Sequence, residues 1–178
     1  MRSATFFVRG RLLLQVSALQ ACTTSSPLPG TSEGTFGVVA TLTTNTCGSG
    51  IDAPNPWDFS VWLSEDGSTL YIEDTDGTGE MSGALSSAAA TLTTSVTSDV
   101  DATEAGAGEC NLTQAISIAL NLNSGTAPTS FTGTATYTYS AATGVSTTNN
   151  CTDQLASSGG TYETLPCTVT YSLAGTKQ

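Results

Sequence analysis

Positive charge is almost absent from this chain, and histidine is absent altogether. The 178 residues contain four Lys and Arg against fifteen Asp and Glu, and three of the four cations are Arg2, Arg9 and Arg11. From residue 22 onward, one lysine, Lys177, opposes fifteen carboxylates, so the side chains of this part carry a charge of −14. Binding to nucleic acid, which needs Lys and Arg to displace the counterions of phosphates, is excluded. The lack of histidine also excludes histidine-based triads, histidine general bases and imidazole metal sites.

Long apolar runs are missing too, and the one short run follows the basic N-terminus. Residues 12–19 are too few for a membrane-spanning helix, which needs roughly 20 apolar residues, and their position predicts an export signal. The run closes on Leu19-Gln20-Ala21-Cys22, which resembles the lipobox of bacterial lipoproteins, where the cysteine becomes the lipid-bearing first residue. The resemblance implies a signal peptide over 1–21, lipidation of Cys22, and a location in the bacterial cell envelope, at the outer membrane.

The residues after Cys22 predict a flexible tether over 22–33, because they are small and polar and include proline. With a charge of −14, electrostatic adhesion to an anionic bilayer is not expected, so the membrane would be a partner through the lipid alone. The alternative is an ordinary secretory signal cleaved after Val16-Ser17-Ala18, which would leave a secreted protein without a lipid. Cleavage just before Cys22 would place the bulky Leu19 where the ordinary signal peptidase requires a small residue. This cleavage site therefore favours a lipoprotein over a secreted protein.

From Gly34 onward, apolar residues alternate with Thr and Ser in segment after segment. Phe36, Val38, Ala40 and Leu42, for example, share one face of the first segment. This period of two predicts an all-β domain over 34–178, an antiparallel sheet with one solvated face. Eight strands joined mostly by short turns fit a single antiparallel up-and-down β-barrel, and a two-sheet β-sandwich is the alternative.

Five cysteines in an exported chain indicate disulfides. Lipidation of Cys22 would leave four, and four cysteines allow three connectivities. In a closed barrel, the first strand ends near Cys47, beside the start of the eighth strand at Cys167. The sixth strand starts at Cys110, beside the end of the seventh strand before Cys151. The barrel therefore predicts the pairs Cys47–Cys167 and Cys110–Cys151.

Gly34-Thr35-Phe36 opens the first strand and Lys177 follows the last, an arrangement similar to that of the lipocalin-like (calycin) barrels. In that family a Gly-x-Trp lies on the first strand and a basic side chain from the last strand lies across the ring. Here Phe replaces Trp and Lys replaces the more usual Arg, and the match covers only these positions. The resemblance implies a lipocalin-like barrel.

The acidic stretch 73–80 is the one segment with metal-ligand character. Asp74, Asp76 and Glu80 could converge on a calcium ion around the turn at Gly77, with backbone oxygens completing the ligand shell. The alternative, which the incomplete ligand set favours, is an acidic hairpin turn that keeps the domain soluble. Calcium is the only cofactor that the sequence suggests.

Trp62 and Tyr71 fall on the outward face of the second and third strands. An exposed aromatic pair could form a surface for a protein or glycan partner, although scattered surface aromatics are also ordinary.

The sequence predicts a non-enzymatic binding module for a small ligand, a glycan or a protein. The alternative is a structural envelope or surface component with no pocket. A carboxylate-dependent hydrolase is the third hypothesis and is disfavoured, because nearly all carboxylates fall in turns, without apolar surroundings that would raise a pKa.

Overall fold

The computed structural model describes residues 28–77, 79–100, 110–142 and 151–178. Eight strands form in this part of the chain: β1 (Thr31–Asn45), β2 (Trp57–Asp66), β3 (Thr69–Asp74), β4 (Met81–Ser86), β5 (Ala89–Asp99), β6 (Asn111–Leu122), β7 (Ser130–Ala141) and β8 (Cys167–Lys177). Each strand pairs antiparallel with its neighbours in sequence, and β8 pairs back with β1 to close the barrel. The predicted up-and-down barrel is confirmed, and the alternative of a two-sheet sandwich is wrong.

The two ends of the barrel differ in their connections. At one end, called the lower end here, two-residue loops join β2 to β3 and β4 to β5. Gly67 and Ser87 open these loops with positive φ angles of 61° and 58°, which the tight turns between twisted strands require. The three longest connections, between β1 and β2, β5 and β6, and β7 and β8, belong to the opposite, upper end, whereas the β6–β7 connection at the lower end has seven residues, 123–129. Long connections leave room for a binding site.

The barrel interior is packed with apolar side chains toward the lower end. Phe36 is fully buried, and its ring centroid lies 5.6 Å from that of Phe131. The Phe131 ring in turn lies over Gly175, where a Cβ atom would come within 2.3 Å of it. The other large apolar side chains with almost no exposure are Val61, Leu63, Leu70, Leu92 and Leu120. This packing closes the lower end of the barrel.

Two disulfides join neighbouring strands or their extensions at the upper end. Cys47 pairs with Cys167 and Cys110 pairs with Cys151, with Cα–Cα distances of 4.9 and 4.8 Å, both inside the usual range for a disulfide. The structure therefore contains both pairs that the barrel predicts. Two disulfides indicate an oxidising, extracytoplasmic environment.

The start of the barrel lies earlier in the chain than the sequence predicted. β1 begins at Thr31, within the predicted tether, and Ser64 Oγ donates a hydrogen bond of 2.6 Å to the Pro29 carbonyl. Leu28 is buried, so its apolar side chain holds this segment against the barrel. The predicted signal peptide and Cys22 lie outside the described residues.

Three further details modify the expected pattern. Val96 has the inward phase on β5 but is 63 % exposed, because β5 and β6 run on together above the packed interior. The connection between β7 and β8 contains two short 3₁₀ helices, Cys151–Gln154 and Ala156–Ser158. Lys177 pairs with Phe36 across the β1–β8 seam, and its side chain lies against Gly34, the first residue of the lipocalin-like motif.

In the described part of the chain, no helix combines the length and the apolar character needed to span a membrane.

Candidate functional site

A cavity of about 110 Å³ lies inside the barrel, in its upper half. Every strand except β5 contributes to its lining. Its larger aliphatic lining residues are Val38, Val61, Ile72, Met81, Ile116, Ile118 and Leu173. Ala135 on β7 also lines it, and its single methyl group leaves space that a larger side chain would fill.

Five aromatic side chains line the cavity: Phe131, which also packs on Phe36, and four whose rings lie next to one another. The ring centroids of Trp57 and Phe59 are 4.6 Å apart, and those of Trp57 and Tyr171 are 5.8 Å apart. Tyr137 meets Tyr171 edge to face at 6.2 Å. All four rings line the cavity, so the rings form a continuous aromatic wall from β2 through β8 to β7.

One carboxyl group, that of Asp74, faces this cavity. Asp74 ends β3, two residues after Ile72, and therefore keeps the inward phase of the strand. Burial, followed by the nearby charges of Asp76 and Glu73, raises the pKa of Asp74 to about 6. Burial also raises the pKa of Tyr137, and the charge of Asp74 adds to that rise. Asp74 and Tyr137 thus sit close together on the polar side of an otherwise apolar cavity.

Replacing Asp74 by Asn should stabilise the protein at pH 8 and have little effect near pH 4. The native state binds the Asp74 proton more tightly than the unfolded chain, whose pKa is near 3.8. The wild type therefore loses stability as the pH rises from about 4 through 6. Because the side chain is only partly buried, the expected gain for Asp74→Asn is about 1 kcal/mol at pH 8 after allowance for solvent screening.

Urea unfolding between pH 4 and pH 8 measures this difference. Asp58→Asn is the matched control, because Asp58 is exposed on the outer face of β2. A gain for Asp74→Asn that does not change with pH would contradict the assignment of the raised pKa to Asp74.

The last part of the β7–β8 connection covers part of the upper end. Tyr162 is buried with its ring centroid 5.5 Å from that of Tyr139, and burial raises the pKa of Tyr162 to about 12. Gln114 Nε2 donates a hydrogen bond of 3.0 Å to the Tyr139 hydroxyl. The Glu163 N–H donates to the Cys47 carbonyl at 2.8 Å, which fixes this segment beside the Cys47–Cys167 disulfide.

Comparison with known families adds one finding. Residues 58–165, more than half of the chain, match the model of the avidin family. The chain belongs to the avidin family. The match begins in β2 and ends two residues before the start of β8, so it includes most of the strands that line the cavity. No curated protein and no solved structure gives a significant match to the chain.

The three predicted calcium ligands lie at the end of β3 and on the connection that follows it. Asp74 is directed into the cavity, whereas Asp76 and Glu80 are exposed on the β3–β4 connection. Across residues 28–77, 79–100, 110–142 and 151–178, no group of three or more His, Cys, Asp or Glu residues could hold a metal ion. Calcium binding by these three residues has no support in this arrangement and stays a prediction.

The outer surface of the avidin-family barrel carries Trp62 and Tyr71, as predicted. Both side chains are partly exposed on adjacent strands, with Trp62 opposite Glu73 and Tyr71 opposite Ser64. Their role as a partner surface stays a prediction.

The sequence reasoning missed the avidin-family cavity and the position of Asp74 in it. The signal is present in the period of two, since Leu70, Ile72 and Asp74 alternate in phase along β3 and the first two are buried. The expectation that carboxylates lack apolar surroundings is wrong for Asp74.

Proposed function

We propose that this avidin-family barrel is a non-enzymatic module that binds a small ligand, or one end of a larger one, in its upper cavity. The observation that carries the proposal is a mainly apolar and aromatic cavity with one carboxylate, beneath the long loops. Pockets of this composition are typical of small-molecule sites. A two-carboxylate hydrolase is disfavoured, because Asp74 is the only Asp or Glu among the described residues that line the cavity.

The size of the cavity limits what can enter it. A cavity of roughly 150 Å³ can hold benzene, and this one measures about 110 Å³. A group of about four to six non-hydrogen atoms therefore fits with little rearrangement. Larger ligands would place the rest of the molecule among the upper loops.

Filling the cavity should abolish this binding and leave the barrel folded. Benzene should raise the melting temperature of the wild type, because a ligand that binds only the native state stabilises it. Ala135→Leu places extra methyl groups in the cavity and should remove that rise. Near-ultraviolet circular dichroism would show that the variant keeps its packed structure.

Ala119→Leu is the control, because Ala119 is exposed on the outer face of β6. It should respond to benzene like the wild type. A melting temperature of the wild type that neither benzene nor the smaller xenon atom raises would contradict the proposed site.

We also propose that Cys22 carries a lipid that holds the barrel at the bacterial cell envelope, most simply at the outer membrane. The lipobox-like Leu19-Gln20-Ala21-Cys22 supports this, and so do the two disulfides, which fit an extracytoplasmic domain. The secreted form without a lipid is the competing proposal.

Cys22→Ser should release the protein from the membrane fraction or leave it as an unprocessed precursor. Membrane fractionation and intact-mass measurement detect both results, with Thr24→Ser as a neighbouring control. A Cys22→Ser protein that matures and partitions like the wild type would rule out the lipid anchor.

A further inference from the structure

The carboxylate in the cavity has no cationic side chain near it in the described chain. In that part of the sequence the one Lys or Arg is Lys177, which lies at the lower end against Gly34. Asp74 lies at the upper end, and the two charged groups that act on it, Asp76 and Glu73, are negative. A buried charge is costly unless it is paired. The chain itself therefore leaves a place for a positive charge beside Asp74.

The aromatic wall next to Asp74 favours the same kind of ligand. Aromatic rings attract a cation placed near a ring face, and groups of such rings recognise ammonium ions that carry alkyl groups. The ring centroid of Trp57 lies 4.6 Å from that of Phe59 and 5.8 Å from that of Tyr171. Tyr137 contacts Tyr171 and feels the charge of Asp74. Rings on one side and a carboxylate on the other match a cation with an apolar surface.

We propose that the upper cavity binds an organic ammonium group, such as a trimethylammonium head, between Asp74 and the rings of Trp57, Phe59, Tyr137 and Tyr171. The inference rests on the proposed function, since it names the ligand class of the same cavity. A trimethylammonium head has about the size that a 110 Å³ cavity accepts. The charge of −14 after residue 22 also raises the local concentration of cations around the protein.

A metal ion fits this site poorly. Calcium requires six to eight oxygen ligands, and Asp74 supplies the only carboxylate among the described residues of the lining. The remaining wall is largely hydrocarbon and aromatic carbon, which cannot replace the water shell of a hard ion. An alkylammonium ion has a weak hydration shell by comparison and can use the whole wall.

The test compares choline with 3,3-dimethylbutan-1-ol, which has the same shape with carbon in place of the charged nitrogen. Binding is measured by isothermal titration calorimetry on the full mature protein at pH 8. Sodium chloride at 0.15 M is present to screen non-specific electrostatic attraction. We expect choline to bind at least about tenfold more tightly than the neutral alcohol. Asp74→Asn should reduce this ratio to near one, and Trp57→Leu should weaken choline more than the alcohol.

Asp58→Asn is the matched control, because it removes the same charge from the outer face at the same end of the barrel. It should keep the preference for choline. Equal binding of choline and the alcohol by the wild type, or a preference that survives Asp74→Asn, would overturn the inference. Binding of benzene without any preference for choline would overturn the inference alone, whereas an unresponsive cavity would overturn the proposed function as well.

Discussion

Replacing Cys47 and Cys167 together by alanine should lower the free energy of unfolding by up to about 5 kcal/mol. The disulfide links residues 120 positions apart, and in the chain-entropy account a loop of that length restricts the unfolded state strongly. The bridge also joins β1 to β8, the two strands whose pairing closes the barrel. A change of this size is a large fraction of the stability of a typical domain. Urea unfolding of the double variant measures it.

Cys110→Ala/Cys151→Ala provides the comparison for that experiment. This bridge spans 41 positions, so its removal should cost up to about 4 kcal/mol, less than removal of the longer link. Non-reducing peptide mapping of the wild type should recover both pairs. A larger loss from the shorter link would contradict the account based on loop length.

Phe36→Ala should destabilise the barrel by about 3–5 kcal/mol, the usual range for removing a buried aromatic side chain. Phe36 is completely buried and packs on Phe131, which itself lies over Gly175. The substitution would leave an empty space at the lower end. The side chains around that space have little freedom to move into it, because every strand there is paired on both sides. The midpoint of urea unfolding should therefore fall sharply.

Val39→Ala is the control on the same strand, since Val39 is 47 % exposed on the outer face. It should change stability by no more than about 0.5 kcal/mol. Similar losses for the two variants would mean that the lower end is not closed by Phe36 in solution.

The sequence alone predicted the barrel because two independent patterns agree. The period of two assigned Phe36, Val38 and Ala40 to the interior, and they are buried. Cys47 follows the end of β1 and Cys167 begins β8, so the two cysteines become neighbours when β1 pairs with β8 and the sheet closes. The early start of β1 escaped prediction, because the small residues before Gly34 have no apolar alternation and are held by Leu28 and by the Ser64–Pro29 hydrogen bond.

The binding site was less accessible to sequence reasoning, because it depends on what the side chains leave empty. Periodicity places Trp57, Tyr137 and Tyr171 inside, but it cannot tell a filled interior from a cavity of 110 Å³. The difference arises from small residues such as Ala135 opposite large rings. The sequence analysis grouped Asp74 with the acidic stretch 73–80, although Asp74 ends β3 and its position in that strand points it inward.

Closure by the final strand has a consequence for how the protein is made. β8 pairs with both β7 and β1, so the chain exposes two unpaired sheet edges until residues 167–177 have been synthesised, and such edges invite pairing with other chains. Cys47 also emerges long before Cys167. During that interval Cys110 and then Cys151 become available to it, so the order of emergence offers Cys47 two incorrect partners before the correct one.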